Sequence, residues 1–245
     1  NHGIPIVLNV TLYRTLLTFL FALAATSVAA QSAWQHIDRS DPRWARMVDG
    51  FVDSTGVLRG PSCSGGPVEK DGEFVAANTE YSFFIRPGNP KKLAIIWDGG
   101  GACWDANSCV GTALAGTGVY SREVDETPAD LDDLGGLADS SNPANPLADY
   151  TQVFIPYCTG DLHIGAAYTP YAFRGPFGIA MDWTIRHRGA DNVAAVLDWV
   201  DDYYRNTLGQ APEEVFLTGA SAGAYGVRYW YPEVHRRLAG SAKIR

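Results

Sequence analysis

Two spacings of apolar residues alternate along the chain. A continuous apolar run covers residues 93–97 (Leu-Ala-Ile-Ile-Trp), shorter runs with apolar centres cover 152–156 (Gln-Val-Phe-Ile-Pro) and 214–218 (Glu-Val-Phe-Leu-Thr), and an aromatic run covers 81–86 (Tyr-Ser-Phe-Phe-Ile-Arg). Short runs of this kind, apolar on both faces, predict strands buried from two sides in a parallel sheet. Over 192–204 the spacing changes: Val193, Val196, Leu197, Val200 and Tyr204 recur at helical intervals and predict one amphipathic helix. Strands alternating with helices predict a mostly parallel sheet with right-handed crossovers. Residues 111–149 show no period and are rich in Gly, Asp and Pro. Their carboxylates (Glu123, Asp125, Glu126, Asp130, Asp132, Asp133) lack the Asp-x-Asp-x-Asp-Gly order of a calcium loop, so a solvated surface loop is expected. Residues 163–186 are likewise irregular and carry Tyr168, Tyr171, Phe173, Phe177 and Trp183, an aromatic insertion expected beside the site.

The run at 214–218 feeds directly into Gly219-Ala220-Ser221-Ala222-Gly223. A strand entering Gly-x-Ser-x-Gly reads as a nucleophile elbow, in which a sharp strand-to-helix turn holds the serine hydroxyl clear of the backbone. A helix beginning at Ala222 would set its N-terminal amides beside Ser221, where they favour developing negative charge. The competing reading is a Gly/Ser-rich turn without chemistry. A second glycine cluster, Asp98-Gly99-Gly100-Gly101-Ala102-Cys103, follows the run at 93–97. Successive glycines can aim two backbone N–H groups at one point, as an oxyanion hole requires. In α/β-hydrolases the residue after the nucleophile, here Ala222, supplies one donor and a loop after an earlier strand supplies the rest. A phosphate-binding reading fails, because neither Gly-x-Gly-x-x-Gly nor a Gly-Lys-Ser/Thr ending is present.

At the N-terminus, Arg14 precedes an apolar core at 16–25 and the small residues Val28, Ala29 and Ala30. This is the layout of a secretory signal over 1–30, too short in its core to span a bilayer and followed by a cleavage site before Gln31. Secretion or delivery to a periplasm is expected, with no stable membrane span after cleavage. Four cysteines suit export, and they allow three disulfide pairings. A zinc site is disfavoured by the absence of Cys-x-x-Cys, and no metal or cofactor is expected. The residues left after the signal suffice for one α/β domain, and the whole chain's composition, 46% hydrophobic and 12% aromatic, supports a sizeable core. The net charge of −8 offers no basic stripe, which excludes nucleic acid as a partner.

Asp98-Gly-Gly-Gly-Ala-Cys103 with Cys109, Asn142-Pro-Ala-Asn-Pro-Leu-Ala-Asp149-Tyr150, Phe154-Ile-Pro-Tyr-Cys158-Thr-Gly-Asp161, His187-Arg-Gly189 and Gly219-Ala-Ser221-Ala-Gly223, in this order, resemble the pectin acetylesterase and Notum family of carboxylesterases. The resemblance runs from about Cys63 to the chain end. It implies an α/β-hydrolase fold, ester hydrolysis by a Ser-Asp-His triad with Ser221 as nucleophile, and an oxyanion hole at Gly100, Gly101 and Ala222. It also implies disulfides pairing Cys103 with Cys109 and Cys63 with Cys158. The substrate class would be a small-molecule or polysaccharide ester, acetyl being the family's commonest acyl group. Where many members carry a tryptophan before the cysteine this chain has Gly101-Ala102, which implies a more open acyl pocket on that side. In such folds the acid and histidine follow the serine. His235 falls on the helix after the elbow, whereas His163 and His187 precede Ser221; His163, after Asp161, is expected at most to line the pocket. The triad Asp and His are therefore expected beyond Arg245. On that reading residues 31–245 form the N-terminal portion of a hydrolase domain cut after the nucleophile helix, inactive alone. The alternative function is a non-catalytic carbohydrate- or lipid-binding protein on the same scaffold.

Overall fold

The computed structural model describes residues 32–245 except 53, 55–57, 135, 140–141, 143, 175–179 and 239–242. The signal segment expected over 1–30 lies outside the described residues, while Gln31–Arg245 forms one compact unit. In chain order the elements are β1 (Gln35–Ile37), α1 (Pro42–Val48), the antiparallel pairs β2/β3 (Phe51–Val52, Leu58–Arg59) and β4/β5 (Pro67–Lys70, Glu73–Ala76), β6 (Phe83–Arg86) and β7 (Asn89–Trp97). After a helical turn at Asn107–Gly111 come α2 (Pro128–Asp133), β8 (Tyr150–Ile155), β9 (Ala167–Arg174), β10 (Ala180–His187), α3 (Gly189–Asp202), β11 (Glu214–Gly219), α4 (Ala222–Leu238) and β12 (Lys243–Ile244).

The main sheet has the order β1-β6-β8-β7-β11-β12. Its centre is parallel, with β7 pairing β8 and β11 (Ile95 against Val153 and Leu217), and β12 extends it in the same sense. At the other edge β6 and β1 run antiparallel. Because side chains alternate across a strand, the neighbours Phe83 and Phe84 bury on opposite faces. Phe83 packs edge-on between Trp44 of α1 and Trp199 of α3, at 5.0 and 5.1 Å. Phe84 joins Phe154, Trp34 and Leu131 of α2. The sheet is thus covered on both sides, which is why its strands read as unbroken apolar runs.

The helix expected from 192 begins three residues earlier, at Gly189, where the Asp161 carboxylate accepts the Gly189 N–H at 2.8 Å and so supplies a distant cap. Val193, Val196, Leu197 and Val200 are all fully buried along its inner face. In α4 the residues that face inward, Ala222, Gly226, Trp230, Val234 and Leu238, recur every fourth position.

Two expectations need correction. The described part of 163–186 is not irregular: β9 and β10 form an eight-residue antiparallel pair, with Tyr171 opposite Trp183 and Phe173 opposite Met181, while Phe177 lies outside the described residues. Pro170 inside the run argues against a strand, but β9 is an edge whose N–H groups need not all be paired. The face bearing Tyr171, Phe173, Trp183 and Ile185 packs on the Cys103–Cys109 disulfide. Nor is the 111–149 segment wholly solvated. Thr127 and Asp130 form a reciprocal capping box that starts α2, Leu131 is fully buried, and Glu126 turns inward.

Candidate active site

β11 ends at Gly219, and Ser221 adopts φ 51°, a left-handed conformation costing a non-glycine residue about 1 kcal/mol or more. The strain is held by the helix start: Gly223 N–H donates to the Ala220 carbonyl at 2.8 Å and Ala224 N–H to the Ser221 carbonyl at 3.0 Å. Ser221 is exposed, while Ala222 and Gly223 beneath it are buried. Glycine is required by close approach. A Cβ on Gly223 would stand 2.2 Å from the Trp97 carbonyl oxygen, and one on Gly219 would meet the Gly223 carbonyl carbon at 2.6 Å. The helix therefore starts directly against the end of β7.

The glycine loop leaves β7 at that same point. A Cβ on Gly99 would lie 2.8 Å from the Ala220 carbonyl oxygen and 3.3 Å from the Ser221 Cβ, so the two glycine motifs are in contact. Gly100 and Gly101 take φ 132° and 83°, and Gly101 is pressed against the Val119 carbonyl. The loop is fastened beyond them: Cys103 is bonded to Cys109, and its N–H donates to the Gly160 carbonyl at 2.9 Å. Ser108 Oγ accepts the N–H groups of Trp104 and Asp105, and Trp104 is left 75% exposed beside the loop. The second disulfide joins Cys63 to Cys158, three residues past β8.

Behind the loop lies a buried acid pair that sequence reasoning missed. The Asp98 carboxylate accepts the backbone N–H groups of Gly99 and Tyr157 and shares a side-chain hydrogen bond with Glu126. Two carboxylates can hydrogen-bond only with a proton between them. Burial, reinforced by the charges of Asp98 and Asp125, pushes Glu126 up to about 8, and burial also raises Asp98. The other Glu126 oxygen is buried without a partner among the described residues. Nothing in the local sequence separates Glu126 from the solvated carboxylates around it.

Asp161 and His163, the residues expected to line a pocket, make several internal hydrogen bonds. Asp161 accepts Thr159 Oγ1 at 2.6 Å and the His163 N–H at 3.1 Å besides capping α3. His163 is 1% exposed, with Nε2 on the Asp98 carbonyl at 2.9 Å, its ring on Tyr157 and its carbonyl accepting from Trp230 Nε1. A carbonyl only accepts, so Nε2 carries the proton, and burial keeps the imidazole below its ordinary pKa. The His187 nitrogens are both engaged, Nδ1 with the Thr159 carbonyl and Nε2 with Tyr171 Oη. His187 lies near Cys103 and Cys109 in a cluster of metal-ligand type, but sulfurs joined in a disulfide are not thiolates and cannot serve as such ligands. Among the described residues, no hydrogen bond links the Ser221 hydroxyl to a histidine.

A mostly parallel sheet carrying a strained, exposed serine between a strand and a helix, with a glycine loop against it, defines an α/β-hydrolase core. The family model for pectinacetylesterase matches residues 78–245, and the chain belongs to that family. It is 28% identical over 169 residues to the palmitoleoyl-protein carboxylesterase Notum of Schmidtea mediterranea, covering 66% of this chain and 28% of that protein. The chain thus spans little more than a quarter of that curated relative's length. Among solved structures, the Wnt deacylase Notum from Drosophila aligns with a TM-score of 0.44 and 21% identity, over 75% of this chain and 49% of that one. Membership establishes an esterase family. Among the described residues no helix is long and apolar enough to cross a membrane.

Proposed function

We propose that this chain carries the nucleophile and oxyanion hole of an exported serine carboxylesterase acting on acyl esters. Ser221 attacks the ester carbonyl, and the amides of Gly100, Gly101 and Ala222 hold the oxyanion, a donor of this kind contributing about 3 kcal/mol to the transition state. The observation that carries the reading is the contact between the two glycine motifs: Gly99 abuts Ser221 closely enough that a Cβ there would stand 3.3 Å from the serine Cβ. The base and acid that activate Ser221 are supplied by residues of the protein outside this chain, since the histidines described here are committed elsewhere or lie on α4. The acyl group is acetyl on this reading, residues 1–30 direct export, and the protein works outside the cytoplasm.

The test is active-site labelling. Protein that includes the remaining triad residues should react with a fluorophosphonate probe at Ser221, and Ser221→Ala should lose labelling and hydrolysis of a short acyl ester while remaining folded. The 245 residues alone should label negligibly. Retention of near-normal turnover by the Ser221→Ala protein refutes the proposal.

A further inference from the structure

Among the described residues, four that are not glycine have positive φ. Asp71 sits in the β4/β5 turn and Ser221 at the elbow; the other two are consecutive, Leu162 at 61° and His163 at 64°. Conformations of this kind persist only where the surroundings fix them, and they collect at functional sites.

In that conformation the side chain and the carbonyl of His163 serve different halves of the site. The imidazole Nε2–H donates to the Asp98 carbonyl at 2.9 Å, at the exit of β7. The His163 carbonyl accepts Trp230 Nε1 at 2.9 Å, from α4. The helix lies so close that a Cβ on Gly226 would stand 3.1 Å from the imidazole Cδ2. His163 is therefore wedged between the helix that follows Ser221 and the strand from which the glycine loop departs.

The Asp98 carbonyl belongs to the same peptide unit as the Gly99 N–H, and that N–H is taken by the Asp98 carboxylate. The unit is thus held at both ends. Because a peptide unit is planar, holding its two ends fixes the plane from which the next residues start. Gly100 and Gly101 have no side chains to narrow their own dihedral angles, so where their N–H groups point depends on that plane and on what the loop touches. A Cβ on Gly100 would meet the Tyr157 ring at 3.2 Å, and the same ring lies against the imidazole, with centroids 4.7 Å apart. His163 reaches the loop twice, directly at Asp98 and through Tyr157 at Gly100.

We propose that His163 is a positioning residue for ester hydrolysis, its Nε2–H holding the 98–99 peptide in the plane that aims the Gly100 and Gly101 N–H groups at the developing oxyanion. The inference rests on Ser221 and the glycine loop acting as proposed above. Oxyanion donors count only at hydrogen-bond distance from where the charge develops, and a misplacement of about 1 Å can cost about a hundredfold in rate. A group that sets the plane of the loop therefore governs turnover without touching the substrate.

The test uses protein that includes the remaining triad residues, assayed on a short acyl ester, and compares His163→Gln with His163→Met. The two side chains are of similar length. Glutamine places an amide N–H the same number of bonds from Cα as the imidazole Nε2, whereas methionine places no donor there. His163→Met is expected to lower kcat about tenfold to a hundredfold with KM changed less than about threefold, and His163→Gln to recover most of the loss. Hydrogen exchange read by mass spectrometry needs no turnover: in His163→Met residues 98–103 should exchange faster while β7 keeps its protection. If His163→Met does not fold, Trp230→Phe, which removes the donor to the His163 carbonyl, takes its place with the same expected fall in kcat. Ser221→Ala separates the two readings. Activity that survives Ser221→Ala refutes the proposed function; activity lost in Ser221→Ala but unchanged in the folded His163→Met or its substitute refutes the positioning role alone. Equal losses of kcat in the Gln and Met variants, a loss confined to KM, or unchanged exchange at 98–103 overturns it as well.

Discussion

Glu126→Gln isolates the effect of a single shared proton on the stability of the glycine loop. Folded Glu126 titrates at about 8 because burial and the neighbouring Asp98 and Asp125 disfavour its charge. Unfolded, it titrates near 4.5. Between those values the folded state holds a proton that the unfolded state has lost. The associated stabilisation is therefore fully present below 4.5 and is lost as pH rises through about 8. A difference of about 3.5 units at about 1.4 kcal/mol each gives about 5 kcal/mol as the upper end of the loss, and solvent relaxation around a partly buried pair lowers it. Asp98 is raised too and works in the same direction. Tyr81, which feels both carboxylates, is held well above its ordinary pKa by burial and stays neutral throughout. His163 works oppositely: its lowered folded pKa makes stability rise with pH until the unfolded imidazole is neutral, near 6.5. The window from pH 7 to 9 is consequently free of that contribution. Glutamine keeps an amide donor for Asp98 and has no proton to lose. Denaturant midpoints followed by tryptophan fluorescence at pH 7, 8 and 9 should fall in the parent protein and stay nearly level in Glu126→Gln. An equal fall in both proteins, or a parent more stable at pH 9 than at pH 7, refutes the shared proton.

Other changes test the frame around Ser221. Gly223→Ala would place a methyl 2.2 Å from a backbone oxygen that cannot move away without distorting β7; a loss of about 2–3 kcal/mol is expected, together with lost serine labelling, and a stability within 0.5 kcal/mol of the parent contradicts the packing. The disulfides should differ in weight. Cys63 and Cys158, 95 residues apart, constrain the unfolded chain by about 4.5 kcal/mol, whereas Cys103 and Cys109, 6 apart, do so by about 2–3 kcal/mol. Paired Cys→Ala variants compared by urea denaturation should show that order, and the reverse order rejects the chain-entropy account.

The parts legible in the sequence are those whose physics is local. The apolar runs of β7, β8 and β11 and the two glycine motifs each declare themselves within nine residues, because burial on two faces and a crowded turn restrict residue type one position at a time. Glu126 was not legible. Its partner Asp98 is 28 positions earlier, and nothing within the intervening Asp- and Gly-rich stretch marks one carboxylate as buried and the others as solvated. Nor do the local residues announce that Asp161 and His163, which follow β8, cap α3 and hold the Asp98 carbonyl, since both partners are distant in sequence. The β9/β10 pair was hidden by Pro170 and by aromatic residues on both faces, which blur the alternation that identifies a strand.

What brings two motifs 120 positions apart into contact is the register of the sheet. Trp97 and Gly219 are direct partners in the parallel β7/β11 ladder, so both strands end level and both following turns emerge at the same height, within the roughly 4.8 Å that separates neighbouring strands. At that spacing neither turn can carry side chains toward the other, which accounts for glycine at 99, 219 and 223 in a single geometric statement. A slip of β11 by one residue would carry Leu217 to the opposite face of the sheet and offset the two turns. The relative position of serine and glycine loop is thus fixed by buried strands, and the Cys103–Cys109 bond, the Gly160 carbonyl and the Asp98 carboxylate have only to hold the loop's conformation once it has arrived there.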